Sequence, residues 1–526
     1  MMRRIIKLAI SITALVLAPF SMMAQAEKNE AQLGLAGNET SLRKHILTDE
    51  LGLFMLDYES IPVPGNATID LIGFHAMHQL NDWLYAGVGV YAPLLQGNYG
   101  GFMAGGVTVL ARKNLFGNYF ADAGASAGGG GGGNSVEHSK VLSGTGGYLK
   151  SFVGLGYDFE GFSAGVNIAR FRFLGSAIDH SQFNIFMLVP FSYATAPYAL
   201  SGLELPASEV NLFNGLRESM LMLGLDNMMQ IQPTGSNKGT IHTIDLQYSY
   251  FLNEKMYWLI EAGVGYRGLP VYNQILGGVG YRYALSPRVN LYSQLALGSG
   301  GYSPDIIDTG SGLLVYPKLS AEYALNDDTG IVFSGGYMLA PGGSSRNFTL
   351  GASLNYHSRY GEVIHHASTA RDVEFNGYRI NVYQQTEYLK NMANRYHRRV
   401  NMISVQLDTI INDHLFVPSQ GSIAYNDYYE YPGYGELLAG LGVQSKHSTD
   451  NRFQVFAQLL AGANVHGEIV KAEAGINYGL SDRFAIYANI GTTFSPRKSG
   501  LSGKKTQFKA DSIGLGMTYR FSAPSQ

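Results

Sequence analysis

Apolar and polar positions alternate with a period of two through most of the chain. In DSIGLGMTYRF (511–521), Ile513, Leu515, Met517, Tyr519 and Phe521 make one face. Ser512, Gly514, Gly516, Thr518 and Arg520 make the other. NFTLGASLNYHS repeats the pattern, with Leu350, Ala352, Leu354 and Tyr356 opposite Thr349, Gly351, Ser353 and Asn355. Such alternation predicts strands with one apolar and one small or polar face. In the first part of the chain the strands fall near 51–59, 68–79, 83–92, 101–112, 117–128, 147–159, 161–174 and 182–195.

The pattern recurs. NYFADAGASAGG (118–129), VNLYSQLALGSG (289–300) and FQVFAQLLAGAN (453–464) correspond, each flanked by matching strands. TIDLIGFHAMHQ, HTIDLQYSYFLN and NMISVQLDTIIN correspond further upstream. The chain therefore reads as three copies of one unit, near 34–196, 201–358 and 362–521, each with eight strands. Asn81-Asp82, Asn253-Glu254 and Asn412-Asp413 mark one tight turn in all three. Glu160-Gly161, Asn326-Asp328 and Ser481-Asp482 mark another. Opposite ends of the strands carry longer loops. The joints LSGLELPASEVNLFNGLRE and YGEVIHHASTARDVE, and GNETSLRKHILTDE before the first copy, are read as helical connectors on the short-turn side.

The N-terminus sets the compartment. MMRRIIK is basic, residues 8–20 are apolar, and SMMAQA closes on Ala24-x-Ala26. This predicts a cleaved signal peptide over 1–26, too short in its apolar part for a membrane span. The expected division is then repeat 1 over 27–196, repeat 2 with its connector over 197–360, repeat 3 with its connector over 361–521, and a tail over 522–526. Cys 0 excludes disulfides, thiolate chemistry and a lipid anchor on cysteine. Charged residues are 15%, against about 25% in soluble domains. A net charge of −3 gives no basis for binding nucleic acid.

Signal peptide, alternation, turn asymmetry and terminal aromatic strand together resemble Gram-negative outer-membrane β-barrel proteins, over essentially all of the mature chain. Gly516-x-x-Tyr519-x-Phe521 resembles the signal read by the barrel-assembly machinery, although Ser522–Gln526 follow it. The resemblance implies an all-β transmembrane antiparallel barrel in the outer membrane, in contact with its lipids and lipopolysaccharide. Two architectures accommodate three eight-stranded copies. One barrel of about 24 strands is preferred, since repetition commonly enlarges barrels. Three tandem eight-stranded barrels are the alternative, favoured by the long connectors and by inward faces that read as small and weakly charged.

Candidate chemistry is sparse. Residues 128–133 are an unbroken glycine run, with Lys140 beyond it. A phosphate cradle needs Gly-x4-Gly-Lys-Ser/Thr leading into a helix; here the lysine is too distant and a strand follows. The run is expected to be a thin external loop. His138-Ser139, His180-Ser181, His357-Ser358 and His447-Ser448 cannot pair base with nucleophile, because adjacent strand residues face opposite ways. His365-His366 lacks a third spaced ligand, so no metal is expected. Arg395, His397, Arg398, Arg399, Arg497, Lys498, Lys504 and Lys505 lie on the long-loop side of the third copy. They are candidates for contact with an anionic polymer or lipopolysaccharide. Tyr428, Tyr429, Tyr431 and Tyr434 are candidates for sugar stacking or for an interfacial girdle. No cofactor and no catalytic residue is expected. The leading functional reading is a channel or exporter, its partner a polysaccharide or a periplasmic export component. A structural or adhesive surface protein comes next, and a lipid-modifying enzyme last.

Overall fold

The computed structural model describes residues 47–63, 68–133, 142–206, 210, 217–326, 328–360, 373–390, 399–427, 432–447, 452–497 and 507–525. The predicted signal peptide, His365-His366 and most of the predicted connectors before the first copy and between the second and third lie outside them; of the connector between the first and second copies, 200–206 are described and hold the end of a single 3-10 turn and a two-residue strand rather than a longer helix.

The eight strands of each copy close on themselves. The first barrel contains β1 (Thr48–Ile61), β2 (Ile69–Asn81), β3 (Leu84–Pro93), β4 (Met103–Asn114), β5 (Tyr119–Gly131), β6 (Gly147–Asp158), β7 (Ser163–Phe173) and β8 (Asp179–Thr195). After the two-residue β9 (Glu204–Leu205), the second contains β10 (Arg217–Gln230), β11 (Ile241–Phe251), β12 (Met256–Arg267), β13 (Asn273–Ser286), β14 (Val289–Gly301), β15 (Leu313–Ala324), β16 (Thr329–Leu339) and β17 (Arg346–Tyr360). The third contains β18 (Val373–Leu389), β19 (Arg399–Asn412), β20 (Leu415–Ala424), β21 (Gly435–Gln444), β22 (Phe453–Asn464), β23 (Gly467–Gly479), β24 (Phe484–Phe494) and β25 (Lys509–Ser525). Every neighbouring pair is antiparallel, and closure is explicit: Tyr58 pairs Ile185, Leu225 pairs Ala352, and Val382 pairs Met517.

The expected single barrel of about 24 strands is thus replaced by three separate ones. The last strand of each copy returns to its own first strand instead of passing its edge to the next copy. β25 also runs through Ser525, so 522–525 are strand rather than a free tail.

The short turns are built as their asparagines require. Asn81 Oδ1 accepts from the amides of Trp83 and Leu84, Asn253 Oδ1 from Lys255 and Met256, and Asn412 Oδ1 from His414 and Leu415. Asn326 Oδ1 does the same for Asp328 and Thr329 in another turn. One carbonyl oxygen caps two amides that the reversing strand leaves unpaired.

Apolar side chains outside the barrels remain uncovered over wide arcs. Val153, Leu155, Val166, Ile168, Phe183 and Ile185 form such a belt on the first barrel, with Phe183 81% exposed. Leu319, Phe333, Leu350 and Leu354 continue it on the second, and Leu441, Leu459, Ile490 and Leu515 on the third. A belt of this kind faces hydrocarbon, where strands can cross only as closed barrels. Met517 and Tyr519 share the outward face of Leu515 yet are buried, because β25 lies against β8 and β17.

The barrels meet in a cyclic pattern. At the long-loop end, β5 of the first touches β20 of the third, β22 of the third touches β12 of the second, and β14 of the second touches β3 of the first. Each contact joins the fifth strand of one copy to the third strand of another, a head-to-tail interface that closes after three units. The glycine run belongs here and is not a thin loop: 128–131 complete β5. A Cβ on Gly129 would lie 1.9 Å from the carbonyl oxygen of Ala424, so only glycine permits this approach of the first and third barrels. Gly133 donates to the Tyr302 carbonyl and Gly100 to the Gly310 carbonyl, tying the first barrel to the second. At the short-turn end, Leu47, Ala196, Val210, Val373 and Phe375 form an apolar knot, beside which β9 pairs with β18 and Ala196 with Ser522.

Replacing Gly129 with valine is expected to cost about 1–3 kcal/mol through overpacking. The three barrels stay closed and only the junction loosens. Hydrogen exchange would then speed up at Ala424–Asn426 in the variant while the strand amides of all three barrels stay protected.

Candidate functional site

An eight-stranded barrel encloses just enough room for its own side chains, and here those side chains are charged. The sixth strand of each copy turns one lysine inward: Lys150 in β6, Lys318 in β15 and Lys471 in β23, all buried. Each is surrounded by carboxylates. Lys150 pairs with Asp57 and Glu59. Asp57 also faces His75, 3.5 Å away, and His75, Thr108 and Ser126 continue as a hydrogen-bonded row across β2, β4 and β5. The ammonium lies 5.0 Å from the Tyr91 ring centroid and 5.2 Å from that of Phe152, within cation–π range. Tyr91, Tyr148, Phe171 and Phe173 fill the lumen on the long-loop side.

Lys318 donates to Glu261 at 2.7 Å, and Gln274 links Glu261 to Asp245. Asp226 accepts from the Tyr316 hydroxyl at 3.2 Å. A void of about 10 Å³ beside these groups is near the size that holds one water. Nearer the short-turn end, His357 bridges Glu218 and Glu322 at 2.9 Å on either side. Arg282 grips Glu218 with both terminal nitrogens of its guanidinium, at 2.6 and 2.8 Å.

Lys471 sits 3.4 Å from both Glu436 and Glu473 and 3.8 Å from Glu387. Below it, Arg379 donates to Asp408 and to Gln454, both at 3.0 Å. Gln406, Gln458 and Glu473 complete a hydrogen-bonded layer.

The lumens are therefore not weakly charged, contrary to the sequence expectation. Pairing offsets part of the cost of removing these groups from water. The signal was legible: a lone lysine at an inward position midway along GYLKSF, VYPKLS and IVKAEA. The small residues between them leave space that the charged and aromatic side chains fill.

The candidate rim residues are only partly brought together. Arg395, His397, Arg398, Lys498, Lys504 and Lys505, with Tyr428, Tyr429 and Tyr431, lie outside the described residues. Arg399 is exposed, with its guanidinium 5.4 Å from the Tyr388 ring centroid. Arg497 is exposed and sits 3.4 Å from Glu468. Tyr434 neither meets solvent nor joins a girdle. It is buried in the third barrel, donating to Glu436 at 2.7 Å, accepting from Asn464 at 3.0 Å and stacking on Phe508. It lies one residue before β21, where the chain already turns its side chain inward. Gly516, Tyr519 and Phe521 all lie in β25, where Tyr519 packs on His78 and Phe521 stacks on Tyr378. Among the His-Ser pairs, His357 is spent on its two carboxylates, and Ser358 faces outward from the barrel.

No family model matches the chain, and no curated protein does. Among solved structures, the ferric enterobactin receptor of Pseudomonas aeruginosa is similar at 11% identity and a TM-score of 0.28, over 90% of this chain and 80% of the receptor. The NanC porin aligns at 10% identity and a TM-score of 0.18, over 56% of this chain and 98% of the porin. A de novo designed transmembrane β-barrel aligns at 11% identity and a TM-score of 0.19, over 26% of this chain and 94% of the design.

Replacing Lys471 with methionine would strand Glu387, Glu436 and Glu473 without their cation. The expected loss is about 3–5 kcal/mol, the cost of breaking a buried ion pair from one side. Arg497→Ala, at an exposed pair, should cost less than about 1 kcal/mol. Urea unfolding of the two refolded variants in micelles measures both.

Proposed function

We propose that this chain is an outer-membrane protein whose three barrels are anchors for the long-loop surface rather than conduits. The observation that carries this reading is the filling of each eight-stranded lumen by its own ion-paired side chains. Passage of a polymer through such a lumen would require breaking the Lys150, Lys318 or Lys471 cluster. The channel or exporter reading depended on a lumen of about 24 strands, and closure of each copy removes that motive. Presentation of loops at the outer face, in contact with lipopolysaccharide, uses what remains: twelve strand-to-strand connections gathered over one junction. Exposed Arg399 and Arg497 on that side support an anionic partner. Insertion by the barrel-assembly machinery through the β25 aromatics belongs to the same proposal.

The refolded protein in a planar bilayer, folded by the criterion of heat-modifiable migration, is expected to show no nanosiemens steps. Steps of that size would overturn the anchoring reading and restore a wide pore.

A further inference from the structure

The short-turn mouth of the third barrel is closed by a segment that comes from another copy. Ala196, just past β8, pairs with Ser522 of β25. Further on, Gly202 donates to the Phe375 carbonyl, Phe375 to that of Leu203, and β9 pairs with β18. Residues 197–201 therefore form a strap across the mouth, clipped to β25 at one end and to β18 at the other. Between the clips lies a single 3-10 turn, Tyr198–Leu200, entered through Pro197. It turns Tyr198 into the lumen, where the side chain is 2% exposed. The ring packs with Tyr383, Ile410, Phe416, Phe456 and Tyr487, all on the inner face of the third barrel.

Polar contacts hold the ring in place. The Tyr198 amide donates to Asp482 at 2.9 Å, and the Arg520 guanidinium lies 5.5 Å from the ring centroid, within cation–π range. His447, in the turn after β21, meets the ring edge to face at 5.0 Å. Arg379 of β18 and Asp408 of β19, paired at 3.0 Å, form the next layer, with Gln454 of β22 accepting from Arg379. The charges that act on His447 are Arg520 of β25, Asp482 of the turn between β23 and β24, and Arg379. Its neighbour Lys446 pairs with Asp413 at 2.8 Å. Burial, joined by Arg520 and Arg379 and opposed by Asp482, holds the His447 imidazole below its usual range. A proton on that ring is easier to place once Tyr198 is out and water reaches it. Docking of Tyr198 is thus favoured above about pH 6.5, where the hydrated ring is neutral, and weakens as pH falls below that value.

We propose that Tyr198 is a releasable plug of the third barrel, docked while His447 is neutral and withdrawn when His447 carries a proton. The 3-10 turn lies between the two clips, so both stay in place while it unwinds. Withdrawal uncovers the mouth down to the Arg379–Asp408 layer and leaves the Lys471 cluster as it is. The strap follows directly on β8, so the state of the third barrel's mouth is tied to the first copy. The plug is independent of the loop-presenting role, since it acts at the opposite end of the strands.

With Cys 0 in the chain, a single thiol placed in the mouth reports alone. Gln454→Cys puts one in the layer that Tyr198 covers. The full chain, refolded in micelles, is treated with a charged methanethiosulfonate reagent. Each rate is divided by that of the same chain with Tyr198→Ala added, at the same pH, which cancels the titration of the thiol itself. Measurements at about pH 8 and about pH 5 bracket the histidine range. The ratio should lie several-fold below one at the higher pH and rise towards one at the lower. With His447→Gln it should stay low at both. If Gln454→Cys does not refold, Gln444→Cys, opposite Phe456 at the same mouth, takes its place. A ratio near one at the higher pH would mean that Tyr198 covers nothing and would overturn the plug. A ratio that does not rise in acid, or that rises equally with His447→Gln, would overturn its release by His447.

Discussion

Everything in this molecule follows from closing a sheet after eight strands. The ring is too narrow to hold bulk water and too wide to be empty, so its inner residues must fill it. Facing inward, they also must not leave charge or hydrogen-bonding capacity unmatched. The chain answers with one inward lysine per copy, set on the sixth strand among carboxylates. The partners differ: Asp57 and Glu59 on the first strand, Glu261 on the third, Glu387, Glu436 and Glu473 on the first, fourth and sixth. What recurs is the buried lysine on the sixth strand, while the number and position of its carboxylates change.

The second constraint acts between barrels. Three cylinders touch along narrow lines, and backbone must approach backbone if the lines are to be tight. Glycines at the ends of the fifth strands and in the facing loops allow this. The same residue type therefore has two roles here, making room on the inner wall for the Asp122 carboxylate and thinning the outer wall beside Ala424.

Much of this was legible in the sequence. Alternation gave the strands to within a few residues, and the turn asparagines fell where their side chains cap the reversal. The number of barrels was not legible, for a physical reason. Whether β8 returns to β1 or passes its edge to β10, its apolar face looks outward and its polar face inward, so alternation is equally satisfied. Only the register, Tyr58 opposite Ile185, decides between them. The glycine run misled because six residues without side chains have no alternation to read, and strand pairing with 103–106 is carried by the backbone alone. Tyr434 misled because tyrosines clustered in sequence around a loop do not share a direction once one of them precedes a strand.

The cyclic order of contacts has a consequence for chain connectivity. Fifth strand meets third strand all the way round, so the ring has no first or last member in space, although the chain has a first and last copy. Ala196, at the end of the first copy, already pairs with Ser522 near the end of the third. The order of the copies along the chain is thus largely a matter of how the connectors are threaded. A circularly permuted chain, opened between the first two copies and joined between the third and the first, would carry the same three barrel-to-barrel seams, as would three separate copies assembling as a trimer.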